Sequence, residues 1–140
     1  MGILKILKVA AKLANYKEST KLIKYKSTKK LVHNNIMLDI SIRTIRNSIN
    51  KASNLVFKDK LKQEVGFKFV YSKGFNSFGF KEKVDIIFCN IHSQVIAIYS
   101  NFKPNKFTSL HEDTYSIFVL ANNSNKFLNI KKNDFLTISK

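Results

Sequence analysis

A chain of 140 residues with one cysteine and a formal charge of +16 fits a single domain that can bury a real core without a disulfide framework. One cysteine excludes a zinc site built from paired cysteines and gives no argument for an oxidising compartment. Residues 1–62 hold 15 basic side chains against 3 acidic ones, and residues 63–140 hold 10 against 6, so an electrostatic partner would meet the N-terminal half. Only Arg43 and Arg46 are arginine. Abundant Lys, Asn, Ile and Phe match an AT-rich genome, which accounts for Lys over Arg but not for the shortage of acids.

The chain opens on MGILKILKVAAKLANYK. Ile3, Leu4, Ile6, Leu7, Ala10, Leu13 and Ala14 recur at helical spacing, and Lys5, Lys8 and Lys12 follow the opposite face, predicting an amphipathic helix. No stretch approaches the roughly 18 apolar residues of a membrane span. The three lysines also interrupt what would be the apolar region of a secretory signal, and position six lacks the Ser or Thr expected for myristoylation. Three uses of this helix stay open. Its apolar stripe packs on its own domain, lies in an anionic membrane surface, or docks on nucleic acid or a protein partner.

Residues 16–35 carry Lys17, Lys21, Lys24, Lys26, Lys29 and Lys30 against Glu18 alone. A second helix is expected from Ser19 or Thr20, fading before Asn34 and Asn35. Its lysines form a solvated face or attract phosphate, on lipid head groups or on RNA, without reading sequence. Residues 1–35 are thus expected to be a basic helical arm, and residues 36–140 a β-rich domain.

From Ile36 the period changes. Met37–Ile42 reads as a strand, and Ile42, Ile45, Ile49 and Ala52 suggest a short helix over residues 42–57. Further strands are expected at Phe67–Tyr71, Phe75–Phe80, Val84–Asn90, Val95–Ser100, Tyr115–Ala121 and Phe135–Ile138. Close spacing without long helices predicts a mainly β (α+β) fold, a compact antiparallel barrel or jelly-roll-like sandwich.

In VDIIFCN, Val84, Ile86 and Phe88 share one face, and Asp85, Ile87 and Cys89 the other. Both faces read as buried, so Asp85 must accept hydrogen bonds or pair with a cation. It orders loop amides, pairs with Lys81 or Lys83, binds a ligand, or sits exposed at a strand start. Cys89 reads as a small buried hydrophobe.

FNSFGFKEKVDIIFCNIHSQVIAI, followed by NFKP, resembles the central signature of the bacterial and archaeal family catalogued as domain of unknown function 192. Val84 and Asp85 match its apolar-Asp pair, Phe88 its Phe and Pro104 its later Pro, while Phe80 stands where Met usually falls. Tyr115–Ile138 resembles the family's C-terminal end, with Asn133 and Asp134 in place of Gly-Asp. NLVFK at Asn54–Lys58 resembles its Gly-Leu-Met block, with Asn54 for Gly and Val56 for Met. The resemblance spans about residues 37–138 and implies a compact β-rich barrel or jelly-roll-like fold, without a reaction.

Motifs for chemistry are sparse. HEDTY, His111–Tyr115, resembles a zinc-protease opening but lacks the second His. His33, His92 and His111 are scattered singly, with His92 in an expected turn, so no metal set emerges. Gly2, Gly66, Gly74 and Gly79 form no phosphate-binding loop. One buried carboxylate makes no acid–base pair. Phe69, Tyr71, Phe75, Phe78 and Phe80 interleave with Lys68, Lys73, Lys81 and Lys83, a pattern that stacks single-stranded bases or simply fills a β core.

The expectation is therefore a non-enzymatic binding or accessory module without a cofactor, metal or catalytic residue, cytoplasmic or peripheral at the cytoplasmic membrane. Lys5, Lys8, Lys12, Lys21, Lys24, Lys29 and Lys30 would meet an anionic membrane surface, with an envelope protein as another partner for the arm. The alternative is an RNA- or ribosome-associated protein. A third is a small-ligand receptor or enzyme with a pocket near Asp85, Phe78 and Phe80.

Overall fold

The computed structural model describes residues 29–46 and 61–140. The first helix, most of the second and residues 47–57 of the expected short helix lie outside the described residues. The described chain runs β1 (Lys30–His33), β2 (Ile36–Ile45), β3 (Val65–Val70), β4 (Val84–Cys89), β5 (Val95–Phe102), β6 (Ser116–Ala121), α1 (Ser124–Leu128) and β7 (Leu136–Ile138). The strands form one sheet in the order β5-β4-β6-β3-β2-β1-β7.

The mainly β class holds, but the expected antiparallel barrel or sandwich does not: the sheet is mixed and not closed. Strands β2 and β3 pair in parallel, Ser41 opposite Val65 through Ile45 opposite Phe69. A parallel pair needs a long return connection, and residues 46–64 supply the length. The other pairings are antiparallel.

Two further expectations change. Lys30–His33, expected in a helix, is a strand, because Asn34 and Asn35 have φ of 49° and 70°. Two consecutive positive φ values make the tight turn that matches strand twist, and His33 pairs with Ile36 across it. The sheet therefore begins inside the segment 1–35 assigned to the arm. Likewise Ile42–Ile45, expected to start a helix, continues β2. Phe75–Phe80 is not a strand. Its only ladder contact is an isolated bridge from Asn76 to Phe107, because Gly79, with φ of 85°, turns the chain.

Strands β4 and β6 are buried along their whole length, as befits two neighbours at the centre of a sheet covered on both faces. Side-chain alternation separates two clusters. Val84, Ile86, Phe88, Ile117 and Val119 join Phe67 and Phe69, and Phe75 and Phe80 from the β3–β4 loop cover them. Ile87, Cys89, Phe118 and Leu120 join Leu31, Ile42, Val95 and Leu136. Because Val95 and Leu136 come from opposite edge strands, the sheet must curl around this second cluster. Its edges meet around Gln94 and Phe135, where Val95 N–H donates to Asp134 O and Leu136 N–H to Ser93 O, both at 2.8 Å. Gly66 lies under the curl, where a Cβ would stand 2.5 Å from Leu120 Cδ2 and 2.9 Å from Ile42 Cδ1.

Candidate functional site

Asp85 is fully buried on β4, on the face predicted from alternation. Its carboxylate accepts from Asn101 N–H at 2.9 Å and Asn125 N–H at 2.8 Å. Each donor has a local reason to need it. The pairing register of β5 shifts opposite Asp85, and Asn101 there has φ of 57°, so its N–H leaves the ladder. Asn125 lies in the first turn of α1, whose N-cap Asn123 makes no side-chain capping bond. Asp85 thus caps α1 from a neighbouring strand and fastens the bulge of β5, the loop-amide role among those expected. Asn125 Nδ2 adds a bond to Ser100 Oγ at 3.1 Å.

Val84 at the start of β4 pairs with Phe102 at the end of β5, and two loops leave the sheet there. Each makes a tight turn. In Ser77–Phe80, Phe80 N–H donates to Ser77 O at 3.1 Å and Gly79 takes the positive φ such a turn requires. In Lys103–Lys106, Pro104 precedes Asn105, whose φ is 61°. The fully buried Ser77 hydroxyl joins them, donating to Lys103 O at 2.6 Å and accepting from Lys106 N–H at 3.0 Å. Asn105 N–H donates to Ser77 O at 2.9 Å, and Gly79 N–H to Asn105 Oδ1 at 3.1 Å.

This docking presents apolar groups to solvent. Phe78 at the corner of the first turn and Phe107 after the second meet edge to face, centroids 4.7 Å apart, while exposing 45% and 71% of their surfaces. Leu110 is 71% exposed farther along the same loop. Lys73, Lys81, Lys83, Lys103 and Lys106, all exposed, occupy these two loops with three acids, Glu82, Glu112 and Asp113. Phe80, expected beside Phe78 at a ligand site, is instead a core residue, its ring 5.9 Å from that of Phe75.

Lys30 lies on β1, its ammonium 3.1 Å from Asp39 Oδ1, and Lys29 is exposed just before it. Lys5, Lys8, Lys12, Lys21 and Lys24 lie outside the described residues. The three histidines stand apart. His33 Nε2 donates to Asp134 Oδ2 at 2.8 Å, since the carboxylate can only accept. His111 bonds Tyr99 at 2.9 Å, and His92 sits in the β4–β5 turn, its N–H donating to Asn90 Oδ1 at 2.9 Å. Among the described residues no group of His, Cys, Asp and Glu is placed to hold a metal. The His33 bond, seconded by the Lys131 N–H, holds the Asp134 carboxyl below the usual carboxylate range. Burial pushes the Cys89 thiol up to about 12, against a smaller opposing pull from Lys68. Burial also lowers Lys68, helped by Arg46.

Sequence reasoning missed Phe107, Lys103, Lys106 and Ser77 as one unit with Phe78. The available signal was Pro-Asn followed by Lys-Phe at 104–107, a turn that carries an aromatic out to solvent.

No family model matches the chain, and no curated protein matches it. Solved structures do. A protein of unknown function from Novosphingobium aromaticivorans DSM 12444 shares 20% identity at a TM-score of 0.66, over 78% of this chain and 82% of that one. A protein from Sinorhizobium meliloti 1021, named as a suspected transcription regulator, shares 13% identity at a TM-score of 0.66, over 80% of this chain and 95% of that one. At such identities the likeness is one of fold. The resemblance to domain of unknown function 192 rests on its motifs alone.

Proposed function

We propose that the protein is a non-enzymatic binding or accessory module that attaches peripherally to an anionic membrane surface, with the docked turns at the Asp85 end as one contact. The observation that carries this is the exposed Phe78–Phe107 pair on a framework fixed by Ser77, in two loops that hold five lysines against three acids. Aromatic groups that enter the boundary of head groups and acyl chains, ringed by cations, are the composition interfacial binding requires. Each lysine near an anionic surface adds about 1 kcal/mol. Leu110 favours lipid over stacked bases, since an aliphatic side chain offers no ring face. The N-terminal sequence supplies a second contact of the same kind, with Ile3, Leu4, Ile6 and Leu7 entering the interface and Lys5, Lys8 and Lys12 meeting head groups.

Co-sedimentation with phosphatidylcholine vesicles, with and without phosphatidylglycerol, tests this. The full chain binds only the anionic vesicles, and salt weakens binding. A Phe107→Ser variant loses about tenfold in affinity, from the roughly 1.5 kcal/mol of a phenyl ring left in water. Retention by RNA in place of vesicles would replace this reading with the nucleic-acid one.

A further inference from the structure

Strand alternation sets two cations on an otherwise apolar face. On β2, Ile40 and Ile42 join the cluster inside the curl, so Thr44 and Arg46 follow them on that face. On β3, Phe67 and Phe69 belong to the other cluster. Lys68 between them therefore faces the same way as Thr44, its partner in the parallel ladder. On its other side Lys68 pairs with Phe118, and its ammonium lies 5.8 Å from the centre of that buried ring. Arg46 follows directly on the end of β2, diagonal to Lys68.

No described carboxylate balances these charges. The ion pairs between described residues join Lys30 to Asp39 and His33 to Asp134, and neither includes Lys68 or Arg46. Burial, and after it the charge of Arg46, hold the Lys68 ammonium below the ordinary lysine range, the mark of a cation half removed from water beside a like charge. Two like charges on one face oppose each other until an anion joins them. A guanidinium fork beside an ammonium is also the donor set that grips a carboxylate or phosphate. Lys68 is half-buried and Arg46 exposed, so a dissolved ion reaches both.

We propose that Lys68 and Arg46 bind a small oxyanion between them, with the Thr44 hydroxyl as a further donor. Carboxylate and phosphate groups share this chemistry. The site does not depend on attachment to membranes, because soluble ions are enough to fill it.

Isothermal titration calorimetry of the full chain with inorganic phosphate, sulfate and acetate, at an ionic strength held constant with chloride, tests this. Saturable binding of one ion per chain is expected, and the preference between phosphate and acetate identifies the source. Lys68→Met keeps the length of the side chain and removes its charge. It and Arg46→Gln should each weaken binding about tenfold, the loss of one charge-assisted contact. Lys132→Met removes the same charge from an exposed position on a separate loop and should leave affinity unchanged, which separates a site from general attraction to a basic chain. The bound ion should also raise the melting temperature of the parent but not of Lys68→Met. That rise is read within each protein, so a variant of lower starting stability still reports on the site. No saturable heat with any of the three ions, binding indifferent to Lys68→Met or Arg46→Gln, or an equal loss in Lys132→Met would overturn the inference.

Discussion

Replacing Asp85 by Asn keeps the shape of the side chain and removes its charge. The native carboxylate is fully buried and accepts two amide protons, at 2.9 and 2.8 Å. Each such charge-assisted bond contributes about 1.5–3 kcal/mol. In the variant one oxygen still accepts, but the new amino group confronts the other backbone N–H, so one bond is lost and one buried donor is stranded. The cost is about 2–4 kcal/mol, a large part of the roughly 5–15 kcal/mol that holds a domain folded. With a urea slope of about 2 kcal/mol/M, the midpoint should fall by about 1–2 M. Asp85→Leu strands both donors and should cost more. Urea unfolding followed by circular dichroism measures both, and amide exchange at Asn101 and Asn125 localises the effect. If Asp85→Asn stayed within about 0.5 kcal/mol of the parent, with both amides still protected, the capping role would be refuted.

Three other outcomes follow from the same fold. Gly66→Ala should destabilise the fold by about 1–3 kcal/mol, because its Cβ would press on the buried ends of Leu120 and Ile42; an unchanged urea midpoint would show that these tips move freely. Cys89, with its thiol pushed up to about 12 by burial, should be inert to a thiol reagent near pH ~8 and react once the chain is unfolded; rapid labelling of the native protein would contradict this. The lowered pKa of Asp134 means its contribution is present above the unfolded value of about 3.9 and lost as pH falls through the lower folded value. The gap in melting temperature between the parent and Asp134→Asn should therefore narrow on acidification below about pH 4, and a constant gap would be inconsistent with the His33 contact.

Strands buried on both faces were legible because alternation and β-branched residues depend only on local sequence. The alternating faces of Val84–Cys89 fell into the two core clusters as read. What misled was asparagine. Among the described residues, seven of the nine non-glycine positions with positive φ are Asn, which tolerates left-handed backbone and here takes conformations that favour Gly. Asn34-Asn35 suits a helix end, but two consecutive Asn between apolar stretches also signal a hairpin, and it is the hairpin that makes β1. The Phe75–Phe80 run looked like a strand because its aromatics suggest one, but Ser77 and Gly79 turn it outward. No local pattern could bring Lys103–Lys106 onto Ser77, or Asn101 and Asn125 onto Asp85, since those contacts join residues far apart in sequence. Parallel pairing of β2 with β3 is equally non-local.

The chain has no tryptophan, so a single Phe107→Trp substitution places one indole reporter at the proposed membrane contact. Mixed with phosphatidylglycerol-containing vesicles, its emission should shift to the blue and be quenched by lipids brominated near the head group, with neither change on phosphatidylcholine alone. Protein that co-sediments with anionic vesicles while this emission stays that of an indole in water would contradict insertion of the Phe78–Phe107 pair.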